Sequence, residues 1–579
     1  MNSAFDLLHR VTALCAFVVA SAFACQPATR AVPGHAGNAN PGPAVSAGFE
    51  PNVQSASATI TGELLRSQVA RFSADELEGR GPGTRGDLAA RAYLSRQLAS
   101  LQVAPGRGTE GWEQPLELVG LRAHLPSAWR FERGTRSASL ALWDEYIAGS
   151  GVQSAAGAIE QAEVVFVGYG IEAPEYGWDD FKGQSVKGKV LLVLNDDPDW
   201  DPGLFAGKTR LYYGRWTYKY ENAARHGAAA AIIVHTTPSA GYPFQVVQSS
   251  WGGEQFALPS DQATSLNLKA WVSEDAARRL VALSGRSLAE LQQLARSRSF
   301  APIPLGIKTS LHFDNQVERV HTANVFGKIA GSDPRLRDEY VVLSAHHDHL
   351  GIGKPDATGD AIYNGALDNG AGVAQVLAIV KALQSLPTAP RRSILVLFPG
   401  AEEAGLLGSQ YFTEHLPFSA GKIAANLNYD GGNIWGRARD ITQIGRGKSS
   451  LDAIVAHVAA SLGRTVEGDQ FPDRGTFYRS DQFNFAKVGV PALYLKTGTD
   501  FIGRAKDWGK EQIVAFEAKR YHQPSDQLGP EWNFDGMVDD ARFGFFAALE
   551  IANADRGPTW APGDEFEAAR RAALDAPSH

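Results

Sequence analysis

Cysteine is nearly absent from this chain. Of 579 residues only Cys15 and Cys25 carry a thiol, both at the extreme N-terminus, so the folded body has no disulfide and no thiolate metal site. It depends on core packing, and any metal ligands it has must be His, Asp or Glu. Clustered positive charge is missing as well: the net charge is -8 and no basic patch stands out, which argues against nucleic acid as a partner. The N-terminal apolar run, Val11 to Ala24, is too short to span a bilayer as a helix. Two common catalytic signatures are lacking, the HExxH helix and the GxSxG elbow. Gly445-Arg446-Gly447-Lys448-Ser449 has part of a phosphate loop, but Thr442 stands where its first glycine belongs.

What remains is the composition of a soluble globular protein, 44% hydrophobic and 20% charged, too long for one ordinary core. Residues 1–25 have the parts of an export signal: Arg10, the apolar run, and Ala22-Phe23-Ala24 as a cleavage site. Two readings stand for its end, a plain cleaved signal peptide and a lipoprotein acylated at Cys25. Either way the protein is expected to be exported, to a periplasmic, outer-membrane or secreted location. Residues 26–57, rich in Pro, Gly, Ala and Ser, read as a flexible linker. Two helices follow, over 63–73 and 87–101, with Gly79-Arg80-Gly81-Pro82-Gly83 as the turn between them. Residues 128–147 read as a hairpin around Gly134. From 150 to 300 the texture is short strands among Gly, Pro and Asp turns, an inserted domain. Trp178, Trp200, Trp216 and Trp251 in this region are either groove or core. From 301 to 553 strands alternate with helices, which implies a largely parallel sheet covered on both faces. The polar tail, 554–579, offers no chemistry.

The chemistry is concentrated between His346 and Asp430. AHHDHLG, GALDNGAG, AEEAGLLGS and NLNYDGG each follow, or lie close after, a short apolar run, and each presents His, Asp or Glu. Ligands gather outside the carboxyl ends of strands in such sheets, so these residues suggest a metal site that activates water. Strand period puts His346 and Asp348 on one side, with Asp348 orienting the imidazole, and His347 and His349 on the other. Asp368 opens the 371–386 helix; read as a ligand rather than a cap, it can offer one oxygen to each of two metals, leaving Asn369 or free backbone N–H groups to cap. Glu402 and Glu403 are adjacent and point opposite ways, so one can bind metal while the other acts as general base. Asp430 ends a buried strand on an acid. Farther on, YHQPSD presents His522 from a loop, and Tyr478 offers an O–H to an oxyanion. Imidazole and carboxylate ligands suit two Zn²⁺ ions, with Mn²⁺ or Co²⁺ as substitutes.

With these motifs in this order, the sequence resembles metallopeptidase family twenty-eight, the co-catalytic di-zinc aminopeptidases. The resemblance covers roughly 60–150 and 301–550. It implies a mixed, largely parallel α/β sheet of the zinc-peptidase, phosphorylase/hydrolase-like kind, with 58–149 as the N-terminal part of the peptidase domain and 301–553 as its catalytic part. The 150–300 insertion, with VVFVGYGI and GKVLLVL, looks like a β-rich protease-associated domain. Asp368 would bridge the metals, His346 and Asp430 would complete one site, and Glu403 and His522 the other. Glu402 would be the base and Asp348 the supporting acid, acting on peptide N-termini. The sequence departs from the family where Leu367 stands, a position often acidic. Alternatives on the same scaffold are a glutaminyl cyclase and a carboxypeptidase or dipeptidase; from another class, a receptor-like binding protein with an inactive centre. Oligomeric state is left open.

Overall fold

A computed structural model describes residues 48–106, 111–260 and 266–576. The expected signal sequence, Cys25 and most of the expected linker lie outside the described residues. The end of that linker is folded: Pro51–Ser57 is a helix, begun by a proline in its first turn where the missing N–H costs nothing. Phe49 stacks on Phe546 at 3.9 Å, and Arg542 donates to the carbonyls of Ser57 and Ile60.

The part from 301 to 553 is a mixed sheet. At its centre lie four parallel neighbours, in the order Ser393–Phe398, Tyr340–Ser344, Ile423–Asn428 and Ala492–Thr497. Antiparallel strands flank them: Ile303–Ile329 on one side and Asp440–Ile444 on the other. The apolar runs are buried along nearly their whole length, as expected of strands covered on both faces. The helix Gly372–Gln384 packs on helices Gly62–Phe72 and Asp535–Asn553 and buries almost every residue. Its capping acceptor is Asn369, whose Oδ1 takes the Gly372 N–H at 3.0 Å, which leaves the Asp368 carboxylate free of that duty.

The insertion has its own core and its own sheet, in which Ala156–Phe166, Val190–Leu194, Ala230–His235 and Leu268–Ser273 run parallel. Its packing does not begin at 150. The hairpin Ala128–Arg133 and Arg136–Ala141 and the strand Tyr146–Ser150 place Trp129, Phe131, Leu140 and Tyr146 in the insertion's core. Nor does it end at 300 with a break. The strand Ile303–Ile329 pairs with Ala156–Phe166 through its first half and with Ser393–Phe398 at its end. One continuous strand therefore belongs to both sheets. Trp178 and Trp200 contribute to the insertion's core, whereas Trp216 and Trp251 line a cavity.

The C-terminal residues are also docked rather than trailing. Trp560 and Phe566 are buried against Phe477 and Tyr478, and Arg570, in the helix Glu567–Asp575, donates to the Ile423 carbonyl at 2.9 Å. The N-terminal docking is tested by Phe49→Ala. Loss of the stacked pair should lower unfolding free energy by about 1–2 kcal/mol, read as a lower urea midpoint at unchanged slope.

Candidate metal centre

Three of the central parallel strands end side by side, and the acids sit just past those ends. His346 and Asp348 follow Tyr340–Ser344, Glu402 and Glu403 follow Ser393–Phe398, and Asp430 follows Ile423–Asn428. Asp368 enters from the turn before Gly372–Gln384, and His522 from a loop after the helix Trp508–Lys519. All these side chains converge. His346 Nε2 lies 3.3 Å from Asp368 Oδ1, and His522 Nε2 lies 3.3 Å from Asp368 Oδ2. Each oxygen of one carboxylate thus faces a different imidazole. His346 Nε2 is also 3.8 Å from Asp430 Oδ1, and His522 Nε2 is 3.1 Å from Glu403 Oε2.

The loops are fixed to each other through their own backbones. Asp526 accepts the N–H groups of Leu367 and Asp368 at 3.0 Å each, tying the Asp368 turn to the His522 loop. Asn369 takes the Gly431 N–H at 3.0 Å and donates to the Tyr429 carbonyl, tying the same turn to Asp430. Arg80, fully buried, donates to the carbonyls of His347, Phe72, Asn364 and Gly365. Sequence reasoning passed over Arg80 as part of a turn. Its only signal was a lone cation inside a glycine-rich loop. Burial lowers its pKa to about 10, opposed by Asp348, Asp526, Asp368 and Glu403, so it remains a cation beneath the acids.

Two roles differ from expectation. Asp348 was expected to orient His346, but its Oδ1 lies 3.8 Å from His346 Nδ1, beyond hydrogen-bond reach. Its carboxylate accepts the N–H groups of Glu402 at 3.0 Å and Glu403 at 3.3 Å. The strand ends at Ser344, so the period-2 alternation does not carry to residue 348. Tyr478 is the second correction. Its hydroxyl donates to Glu565 at 2.6 Å, a residue of the C-terminal segment, and is not aimed at the acids. Tyr494 is the better placed phenol, its hydroxyl 3.3 Å from the Asp430 carbonyl. The expected divergence of His347 and His349 from His346 is half met. His347 turns away to the Ala323 carbonyl, while His349 Nδ1 reaches Glu403 Oε1 at 2.6 Å.

The electrostatics separate the two adjacent glutamates. Burial pushes the Glu402 carboxyl well above its usual range; Glu403, Asp430 and Asp481 add to this and His346 opposes it. Burial acts the same way on Glu403, yet His522 and His349 hold it down to about 2. Burial also opposes charge on His522, but Glu403 and Asp368 raise it to about 10. For Asp368, burial is outweighed by contacts with His346 and His522, which keep it well below the carboxylate range. Glu402, by contrast, lies 3.9 Å from His346 Nε2 and lines an open cavity of about 320 Å³. That cavity is shared between the two parts: Arg215, Trp216, Tyr242 and Trp251 of the insertion face Glu402, Asp430 and Arg479 across it.

The donor set fits a divalent cation. His346, Asp368 and Asp430 offer ligand atoms close enough to share one ion, and the Nε2 atoms of His346 and His522 are buried with no hydrogen-bond partner. Two atoms each about 2 Å from one tetrahedral zinc stand about 3.3 Å apart, close to the spacing across Asp368.

A family model for peptidase family M28 matches residues 324–543, and one for the PA domain matches residues 159–264. Over residues 324–543 the chain is thus similar to peptidase family M28. Its PA domain lies before the matched peptidase segment, within the fold. The chain is 28% identical over 285 residues to probable leucine aminopeptidase 2 of Aspergillus oryzae, covering 47% of this chain and 52% of that one. It is 30% identical over 214 residues to leupeptin-inactivating enzyme 1 of Streptomyces exfoliatus, covering 36% and 46%. The chain thus spans about half the length of the curated relatives it matches. Among solved structures, the aminopeptidase from Aneurinibacillus sp. strain AM-1 shares the fold: 18% identity, TM-score 0.51, covering 88% of this chain and 97% of that one.

Two outcomes follow for this centre. Asp348→Ala leaves the Glu402 and Glu403 N–H groups without their acceptor, so the variant should lose about 1–3 kcal/mol per unpaired group, measured by denaturant unfolding. Exhaustive chelation should lower the melting temperature and added Zn²⁺ should restore it. At free zinc a thousandfold above Kd the recovery is about 4 kcal/mol. Equal melting curves with and without chelator would contradict a resident ion.

Proposed function

We propose that the protein is an exported aminopeptidase that binds two zinc ions and removes N-terminal residues from peptides. The observation that carries this is the Asp368 carboxylate, one oxygen toward His346 and the other toward His522. An oxygen for each of two ions is what a shared bridging ligand requires. In support, the relatives named above include an aminopeptidase, and the imidazole and carboxylate donors suit zinc. His346, Asp368 and Asp430 would hold one ion, and His522, Asp368 and Glu403 the other. When bound, the ions would polarise the scissile carbonyl and lower the pKa of the attacking water.

The protein's own groups divide the remaining work. Glu403, paired with His349 and His522, holds its place as a ligand. Glu402 faces the cavity and makes no close ion pair, so its carboxylate takes the proton from the attacking water and delivers it to the leaving amine. Asp348 fixes the backbone N–H of both glutamates and thereby sets the two side chains apart. Export is read from Arg10, the apolar run after it, and the Ala22-Phe23-Ala24-Cys25 segment, with cleavage or acylation at Cys25 as its two endings.

Glu402→Gln keeps the side chain's size but not its basicity. Hydrolysis of aminoacyl-nitroanilides should fall by about 10²–10⁴ in kcat, while zinc content stays at the wild-type value. Undiminished turnover in that variant would remove Glu402 from the reaction.

A further inference from the structure

The histidine that faces Glu403 is not held by the peptidase part alone. His522 has a backbone φ of 56°, a left-handed conformation uncommon for a residue with a side chain. Its Nε2 points at Asp368 and Glu403. Its other ring nitrogen, Nδ1, lies 2.7 Å from the hydroxyl of Ser250, which sits on the insertion's helix Phe244–Trp251. The same helix grips the next residue: Gln245 donates to Gln523 Oε1 at 2.9 Å, and Gln523 returns a bond to Ser249 at 3.4 Å. Tyr521 packs on the His522 ring at 3.9 Å and faces Tyr242 of the insertion at 6.3 Å.

We propose that the inserted PA domain completes the metal centre, with Ser250 as the positioning residue for His522. A ligating imidazole presents one nitrogen to the ion and donates the N–H of the other to a fixed acceptor, which sets its tautomer and ring angle. With Nε2 turned to the acids, Nδ1 carries the hydrogen and Ser250 Oγ accepts it. The insertion is then part of the ligand's support, and the half of the centre built from His522, Glu403 and Asp368 depends on how its helix is seated. His346 has no such dependence, because its Nδ1 faces the Asp348 carbonyl, within the peptidase part. This proposal rests on the two-metal reading above and assigns the insertion a role in one of the two sites.

The test measures zinc affinity directly, by competition of the full-length protein with a chromophoric chelator. Ser250→Ala should weaken one of two binding steps by about 10–100-fold and leave the other unchanged. Ser250→Thr, which keeps the acceptor oxygen, should restore the weakened step to within a few-fold of wild type. Gln245→Ala, which loosens the neighbouring residue without touching the ligand, should shift the same step in the same direction by less. Wild-type affinity at both steps in a folded Ser250→Ala protein overturns the proposal. So does a Ser250→Thr protein as weak as Ser250→Ala, since packing rather than the acceptor would then be at work. The metallopeptidase reading fails by a different sign, wild-type protein that binds no zinc or turns over normally as Glu402→Gln, so the two failures are distinguishable.

Discussion

The Asp368 carboxylate, held between two imidazoles, is the interaction the rest of the centre is arranged to permit. Asp348, Asp368, Glu402, Glu403 and Asp430 meet at the ends of three adjacent strands. Like charges about 4 Å apart repel by about 4 kcal/mol per pair at an effective dielectric of 20, so such a cluster does not assemble by chance. His346 and His522 relieve it by approaching Asp368 from its two oxygens. The turn that carries Asp368 is fixed through its backbone as well. Asp526 and Asn369 lock the Asp368 turn to its neighbours on both sides, and Arg80 gathers four carbonyls under the site. A buried cation satisfied by neutral acceptors keeps its field available to the acids around it. That is a more economical use of charge than pairing it with one of them.

Parallel strand order explains why residues far apart in sequence meet. Ser393–Phe398, Tyr340–Ser344 and Ile423–Asn428 are neighbours pointing the same way. Their last residues share one edge, and whatever follows each strand emerges at the same crevice. The helix after Asp368 returns the chain across the buried face, and the His522 loop closes over the top. The sheet supplies proximity, and the loop hydrogen bonds supply the angle.

Much of this was legible in the sequence because the acids follow apolar runs of strand length, and the helix Gly372–Gln384 and its neighbouring strands fall within a few residues of the expected spans. The residues brought together at the centre are those the motifs single out. What was not legible depends on where side chains go after the chain leaves regular structure. Asp348 was assigned to His346 by strand alternation, but the pleat stops at Ser344 and the carboxylate turns instead to two backbone amides. Tyr478 stands near the right segment, yet its partner, Glu565, comes from a polar tail whose docking no motif signals. Arg80 reads locally as a turn residue, and its acceptors lie at residues 72, 347, 364 and 365. The insertion's edges were blurred for a related reason. Ile303–Ile329 is one strand serving two sheets, so no loop marks the passage between them.

The two neighbouring glutamates show how a shared backbone can yield unlike groups. Both lose hydration on burial, and Asp348 anchors the N–H of each. The difference lies in what their carboxylates meet. Glu403 is met by two imidazoles, which favour its charged form and fix its position. Glu402 is met by other acids and by the cavity, which disfavour charge and leave the group able to accept and release a proton. Pairs of carboxyls driven apart in this way divide holding from proton transfer without any difference in residue type. Moving either imidazole would erase the distinction. His522 is the more vulnerable of the two, because the hydroxyl that steadies its far nitrogen belongs to the insertion rather than to the sheet that carries the acids.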